Sequence, residues 1–224
     1  FDGTNWVEAE GLPGGTTSRR SFLPAVEYNG FLYAVGGRYS VGTTNVFVYD
    51  GSAWNQTAGL PEIRMGNAAA ALNGYLDSIG GQTNASGTLI IKTNVFCFDG
   101  MAWTEATGLP TGLTQFGAAA YQGAIYTVGG LNGDAKTNVF RFDGTNWSEA
   151  AGLSQPRCLS AVTVCDGLLW AIGGYDGSVN RTNVYCFDGT NWTESVPLSV
   201  GIRGAGAGEL NGTLFVYGGY STSV

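Results

Sequence analysis

Phe-Asp-Gly-Thr-Asn-Trp, residues 1–6, returns along the chain as Tyr49–Trp54, Phe98–Trp103, Phe142–Trp147 and Phe187–Trp192. Between the copies stand glycine doublets: Gly36-Gly37, Gly80-Gly81, Gly129-Gly130, Gly173-Gly174 and Gly218-Gly219. The copies begin at 1, 49, 98, 142 and 187, so the spacings are 48, 49, 44 and 45 residues. A period of this length marks an array of supersecondary units, none of which can bury its apolar faces alone. Most of the shared residues therefore serve the scaffold.

One unit predicts four strands. Ala25–Tyr28 is short and apolar and ends at Asn29-Gly30, a strong hairpin signal. Phe31–Val35 follows, closed by Gly36-Gly37. Thr44–Tyr49 is rich in β-branched and aromatic residues and ends at Asp50-Gly51. Ala53–Thr57 is the last, and Gly59-Leu60-Pro61 leads into the next unit. Four antiparallel strands per unit make a propeller blade, and blades pack face to face around a central channel. Neighbours then cover both faces of a blade, which is why Thr44–Tyr49 is apolar on both sides instead of alternating.

Composition agrees with an all-β chain. Of 224 residues 37 are Gly, and 44% are hydrophobic against 12% charged. No stretch approaches a membrane span. A net charge of −7 with only 10 Lys and Arg argues against nucleic acid, whose phosphates need neutralising. There is no His, which removes the usual imidazole base, most zinc sites and any Ser-His-Asp arrangement. Cys97 and Cys186 hold equivalent third-strand positions two blades apart. Cys158 and Cys165 read as lying along one strand, roughly 23 Å apart. All four are expected as free thiols acting as small apolar residues. Asp50, Asp99, Asp143 and Asp188 read as turn chemistry in preference to calcium ligands. Glu8, Glu105, Glu149 and Glu194 read as a solvated outer edge. No cofactor, metal or catalytic residue is expected.

Leu32-Tyr33-Ala34-Val35-Gly36-Gly37, followed by a Tyr-Asp-Gly turn and Trp54, resembles the Kelch motif. Similar strings are Ile125–Gly130, Leu169–Gly174 and Leu214–Gly219, and the resemblance covers essentially the whole chain. It implies one Kelch-like β-propeller domain over 1–224, with five blades at about 17–61, 62–110, 111–153, 154–198, and 199–224 joined by 1–16. The missing His also removes the copper ligands of the Kelch-like galactose oxidases. The termini are expected to meet in one blade, either with Thr222-Ser223-Val224 playing the part of Thr182-Asn183-Val184 and running on towards Phe1-Asp2-Gly3, or with the sequence a fragment trimmed of about seven or eight residues. One unit departs from the pattern. The residue before the doublet that is Tyr33, Tyr126, Trp170 or Phe215 elsewhere is Asp77 in the second. A carboxylate there must find a partner or reach solvent, so the second blade is expected to deviate locally.

Strand alternation sorts the loops onto two faces. The Asn-Gly and Asp-Gly turns are short and alike. The opposite face carries the variable loops Arg38–Thr43, Gln82–Lys92, Leu131–Lys136, Tyr175–Arg181 and Tyr220-Ser221, and function concentrates where a rigid scaffold presents variable loops. The longest, Gln82–Lys92, is expected to lean over the channel mouth. On that face Arg20, Arg64, Arg157 and Arg203 enter the innermost strands, and their forks suit carboxylate, sulfate or phosphate. Tyr39, Tyr175 and Tyr220 follow the doublets and would ring this basic centre, with Arg38 and Asp176 beside them. Pairing of each arginine to backbone carbonyls or to Glu27, Glu62 or Asp176 is the structural alternative. The expected function is non-catalytic binding of a protein segment or glycan of acidic character, by a monomer or a module of a longer chain. Two other readings stay open: a metal-independent Kelch-like sugar epimerase or lyase, with Asp134, Asp176 or Glu62 as base, and a structural module of a surface or filament protein. The low Lys and Arg content points to an extracellular or cell-surface protein, while the unpaired cysteines point the other way.

Overall fold

The computed structural model describes residues 4–13, 20–39, 42–85 and 87–221, and they contain strands and turns without a helix. The first blade holds β1 (Ala25–Tyr28), β2 (Phe31–Val35), β3 (Val46–Tyr49) and β4 (Trp54–Thr57) in sequential antiparallel order. The second is formed by β5 (Ala68–Leu72), β6 (Tyr75–Ile79), β9 (Val95–Phe98) and β10 (Trp103–Ala106). Between β6 and β9 the long loop folds into its own hairpin, β7 (Gln82–Ala85) and β8 (Thr88–Ile91). The third blade has β11 (Gly117–Tyr121), β12 (Ala124–Val128), β15 (Val139–Phe142) and β16 (Trp147–Ala150), with a two-residue ladder of β13 (Leu131–Asn132) and β14 (Asp134–Ala135) in its loop. The fourth has β17 (Ala161–Cys165), β18 (Leu168–Ile172), β19 (Val184–Phe187) and β20 (Trp192–Glu194). A long hairpin, β21 (Ile202–Leu210) with β22 (Thr213–Ser221), follows in the position of a fifth unit. The expected junction of Thr222-Ser223-Val224 with Phe1-Asp2-Gly3 lies outside the described residues.

The repeated motif residues hold blade to blade. In each blade the aromatic before Asp-Gly is the cross-strand partner of the Trp five residues on, as in Phe98 with Trp103. Their rings stack at 4.8–5.0 Å between centroids in the second, third and fourth blades. Each Trp then reaches back one unit. Nε1 of Trp103, Trp147 and Trp192 donates to the carbonyls of Ala58, Thr107 and Ala151 at 2.8–2.9 Å. Trp54 does the same to the Glu10 carbonyl at 3.0 Å. Removing one such donor while keeping an aromatic ring, as in Trp192→Phe, should cost about 1 kcal/mol in equilibrium unfolding. An unchanged midpoint would mean that the stacking alone carries the contact.

The doublets work on the inner side. The second glycine donates its N–H into the next unit: Gly37 to Arg64, Gly81 to Leu113, Gly130 to Arg157 and Gly174 to Ile202, at 2.7–2.8 Å. At Gly129, φ is +65° and a Cβ would stand 2.3 Å from the Arg157 carbonyl, so only glycine admits this approach. A second ladder circles the axis. Gly66, Gln115, Leu159 and Gly204 each donate to the matching residue one unit back, beginning at Phe22, at 2.7–2.9 Å. All five residues have φ between 55° and 64°, so the bonds offset a left-handed backbone that costs roughly 1–2 kcal/mol outside glycine. Leu159 is one of them. Its turn separates Cys158 from β17, so Cys158 and Cys165 do not lie along one strand, contrary to the sequence reading. The four cysteines are free thiols.

Apolar clusters fill each interface between neighbouring units. Leu76 and Phe98 meet Tyr28 and Val35 across the first, Ile79 and Val95 meet Phe116 and Ile125 across the second, and Leu169 and Phe187 meet Tyr121 and Val128 across the third. A smaller one around Ile172 takes Ala205 and Val216 of the last hairpin. The innermost strands are built of small residues, Ala68–Ala71, Gly117–Ala120 and Ala205–Gly208, because they converge on the axis. A central cavity of about 620 Å³ is lined by the inner parts of the four blades and of the last hairpin.

The first two predicted strands of the first blade match β1 and β2, while the third and fourth begin two residues and one residue early. Thr44 and Asn45 do not join β3, since their carbonyls accept from Leu60 and Gly36 instead. The second blade also corrects an expectation. Its ladder is regular, with Asp77 directly opposite Cys97, so the deviation at Asp77 lies in the side-chain packing and not in the strands.

Candidate functional site

The turn face is structural. Asp50, Asp99, Asp143 and Asp188 each accept the backbone N–H groups two and three residues on at 2.7–2.8 Å. Those bonds, from residue +3 first, hold all four carboxyls below the usual range. Glu105 and Glu149 likewise pair with the asparagine amides that open their third strands, Asn94 and Asn138. No group of three or more metal-binding side chains exists among the described residues.

The arginines fall into two kinds. Arg64 and Arg157 are fully buried. Arg64 lies 4.9 Å over the Phe96 ring, and its Nη1 donates to Glu62 and to the Ile63 carbonyl at 2.9 and 3.1 Å. Burial pushes the Glu62 carboxyl up, but hydrogen bonds and charge from Lys92 and Arg64 outweigh it and leave it below the ordinary carboxylate value. Arg157 lies 4.6 Å over the Tyr185 ring and donates to the Gly173 carbonyl at 3.0 Å. Arg20 repeats the stacking on Phe47 at 4.7 Å, stays half-buried, and is the one of the four that lines the central cavity. Arg64 and Arg157 thus tie the inner strand to the third strand of their own blade.

Arg203 is different. No third-strand ring is available to it among the described residues, and it instead lies between two tyrosines, 4.7 Å from the Tyr175 ring and 5.0 Å from the Tyr220 ring. Tyr220 is its cross-strand partner in the hairpin. Tyr175 is positioned by paired backbone bonds to Cys158 at 2.8 Å. Asn180 closes the group by donating to the Tyr220 carbonyl at 3.2 Å. No ion pair to Arg203 exists among the described residues, the residue is half-buried and Tyr220 is 56% exposed, so the guanidinium has ring neighbours but no carboxylate partner there. Asp176 sits in the same loop but is spent internally. It pairs with Arg181 and accepts from the N–H groups of Ser178 and Val179 at 2.7 Å. Burial opposes ionisation there, yet those bonds and Arg181 hold the carboxyl well below its usual range. Arg38 and Tyr39 are exposed on the first blade's loop.

The structure thus brings together Tyr175, Asp176, Arg203 and Tyr220 from the sequence-derived set, and keeps Arg64 and Arg157 sealed. No described residue of the Gln82–Lys92 loop lines the central cavity. Arg181 and Asn180 were missed. Arg181 was readable, since a cation precedes Thr-Asn-Val at Lys92, Lys136 and Arg181 alike.

Residues 156–194, which span the fourth blade, match the Kelch motif. No curated protein matches the chain. Among solved structures, that of YjhT superposes with a TM-score of 0.82 over 93% of this chain and 75% of its own, at 20% sequence identity. That likeness is one of fold.

Proposed function

We propose that the chain, a β-propeller whose residues 156–194 match the Kelch motif, acts by binding and not by catalysis, holding an acidic protein segment or acidic glycan on its variable-loop face. The observation that carries this reading is Arg203, stacked between Tyr175 and Tyr220 with no carboxylate partner among the described residues. Stacked rings fix the fork and lower its hydration, which favours a bidentate contact with an incoming carboxylate. The tyrosines add flat surface for a sugar ring or a peptide. The carboxylates on this face, Glu62 and Asp176, are held low by cations and hydrogen bonds, which suits fixed pairing and not proton abstraction.

The same reading takes the ring as five-bladed, with residues 4–10 as the outer strand of the fifth blade. Two contacts support it: the Trp54 bond to Glu10 continues the series made by the other blades, and the Trp6 ring lies 5.7 Å from that of Tyr217.

The test is a binding screen of acidic peptides, uronic and sialic acid glycans, and neutral glycans against the wild type, Arg203→Ala and Arg203→Lys. An acidic ligand should be bound by the wild type and weakened about tenfold or more by Arg203→Ala. Arg203→Lys should recover little, because lysine neither stacks nor forks. Both variants should melt near the wild type. Equal binding by all three proteins, or equal binding of neutral and acidic glycans, would remove Arg203 from recognition.

A further inference from the structure

The interface between the second and third blades lacks what its neighbours have. Between the first and second blades, Tyr28, Tyr33 and Phe98 pack as a triad of rings at 5.5–6.4 Å. Between the third and fourth, Tyr121, Tyr126 and Phe187 do the same at 5.6–6.4 Å. The equivalent positions between the second and third are Leu72, Asp77 and Phe142, so two rings of three are gone. A hydrogen bond is gone with them. Tyr28 and Tyr121 donate to the next blade's first-turn carbonyls, Gly74 and Gly167, at 2.9 and 3.1 Å, and Leu72 has no donor to offer Gly123.

What remains is a cavity of about 380 Å³. Its wall is apolar along Leu72 and Phe142, and its polar groups are Asp77, the Cys97 thiol and Thr104. Asp77 is 3% exposed, and no Lys or Arg lines the cavity. The rim at Asn73, Tyr75, Thr104 and Gly144 is exposed, so the cavity opens to solvent on the turn face, away from Arg203. A volume of this size admits a small organic ligand. A packing defect that only lost rings would be lined by apolar atoms, but this one also places a lone buried carboxylate inside it.

We propose that this inter-blade cavity is a second binding site, one that takes a small organic cation carrying a single aromatic ring. The ring would replace the missing aromatic against Phe142 and Leu72, and the ammonium would supply the positive partner that Asp77 lacks. Thr104, at the rim, offers an acceptor for a further N–H. The facing titratable groups are Cys97 on β9 and Tyr75 on β6. Burial and the Asp77 charge push the Cys97 thiol up to about 12, so it stays neutral and does not compete for the cation.

Benzylamine and benzyl alcohol, nearly identical in shape, are the probes, followed by ligand-observed NMR on the intact chain. Benzylamine should bind about tenfold or more tightly than the alcohol at pH 8. The difference should shrink as the solution is taken below about pH 6, where Asp77 gains its proton. Asp77→Asn should abolish the preference for the amine. Asp77→Tyr, which restores the residue the first and third blades use, should fill the cavity and abolish binding of both probes while remaining folded. Failure of benzylamine to bind, equal binding of the two probes, or undiminished binding by Asp77→Tyr would each overturn the proposal. The Arg203 variants serve as the control and should bind benzylamine as the wild type does.

Discussion

Replacing Asp77 with asparagine is expected to raise stability at pH 8 by up to about 3 kcal/mol and to flatten stability between about pH 4 and pH 6. Burial is the main cause, pushing the Asp77 carboxyl up to about 6 from an ordinary 3.8, and the Cys97 hydrogen bond only partly opposes it. In the unfolded chain the group loses its proton near its ordinary value, while in the folded chain it keeps it until about 6. Between those values the folded state binds more protons, so stability falls as pH rises and the full penalty is present above the folded value. Asparagine keeps the shape and removes the charge. The Asp50, Asp99, Asp143 and Asp188 carboxyls are shifted the other way, and their contribution is lost only as pH falls through their lowered values. They are common to both proteins and cancel in the difference. Equilibrium urea unfolding of wild type and Asp77→Asn at pH 4.5 and pH 8 gives the comparison. Parallel stabilities at both would mean that water reaches the carboxylate freely and that its burial costs nothing.

Asp77 also shows what a repeat makes legible. Internal repetition supplies several versions of one environment, so a residue that breaks the series can be read as a local anomaly from sequence alone. What it cannot supply is the partner across the interface. Leu72 in place of Tyr28 and Tyr121 passes unnoticed as one apolar residue for another, yet its missing ring is half of the cavity. The motif residues were legible for the opposite reason. Phe98 with Trp103, and Gly130, make the same ring stack and the same backbone bond to the next unit as their counterparts in the other blades, so their spacing encodes those contacts. The hairpin of Gln82–Ala85 with Thr88–Ile91 occurs in one unit, and its loop length alone did not announce a strand pair.

The arginines were legible as a series, and Arg64 and Arg157 take the structural alternative weighed for them, pairing to Glu62 and to backbone carbonyls. Counting along the strands locates their backbones correctly, but the direction of a long side chain depends on which ring is within reach on the third strand. Phe47, Phe96 and Tyr185 offer one to Arg20, Arg64 and Arg157. Arg203 has Tyr175 and Tyr220 instead, both on the loop face. The same residue type at the same repeat position therefore has two roles.

That division makes a second large prediction. Arg157→Ala is expected to destabilise the chain by about 3–5 kcal/mol, because it empties a fully buried volume, removes the contact with Tyr185 and leaves the Gly173 carbonyl without its side-chain donor. Arg157→Met should cost far less. Burial lowers the Arg157 pKa, the sign of a cation held at a desolvation cost that Tyr185 only partly offsets, and by hydrogen-bond geometry its Nε and Nη2 are buried without a partner among the described residues. Methionine fills much of the same space against Tyr185 and carries none of that penalty. A buried cation whose value lay in its charge would show the reverse order, with Met no better than Ala. A ligand-binding arginine would show neither loss, because its contribution appears only when the ligand is present. Thermal and urea unfolding of the Ala and Met variants, set beside Arg203→Ala, separates the three cases. A small effect at Arg203 with a large one at Arg157→Ala would separate recognition at Arg203 from the structural role of the arginines sealed inside the blades.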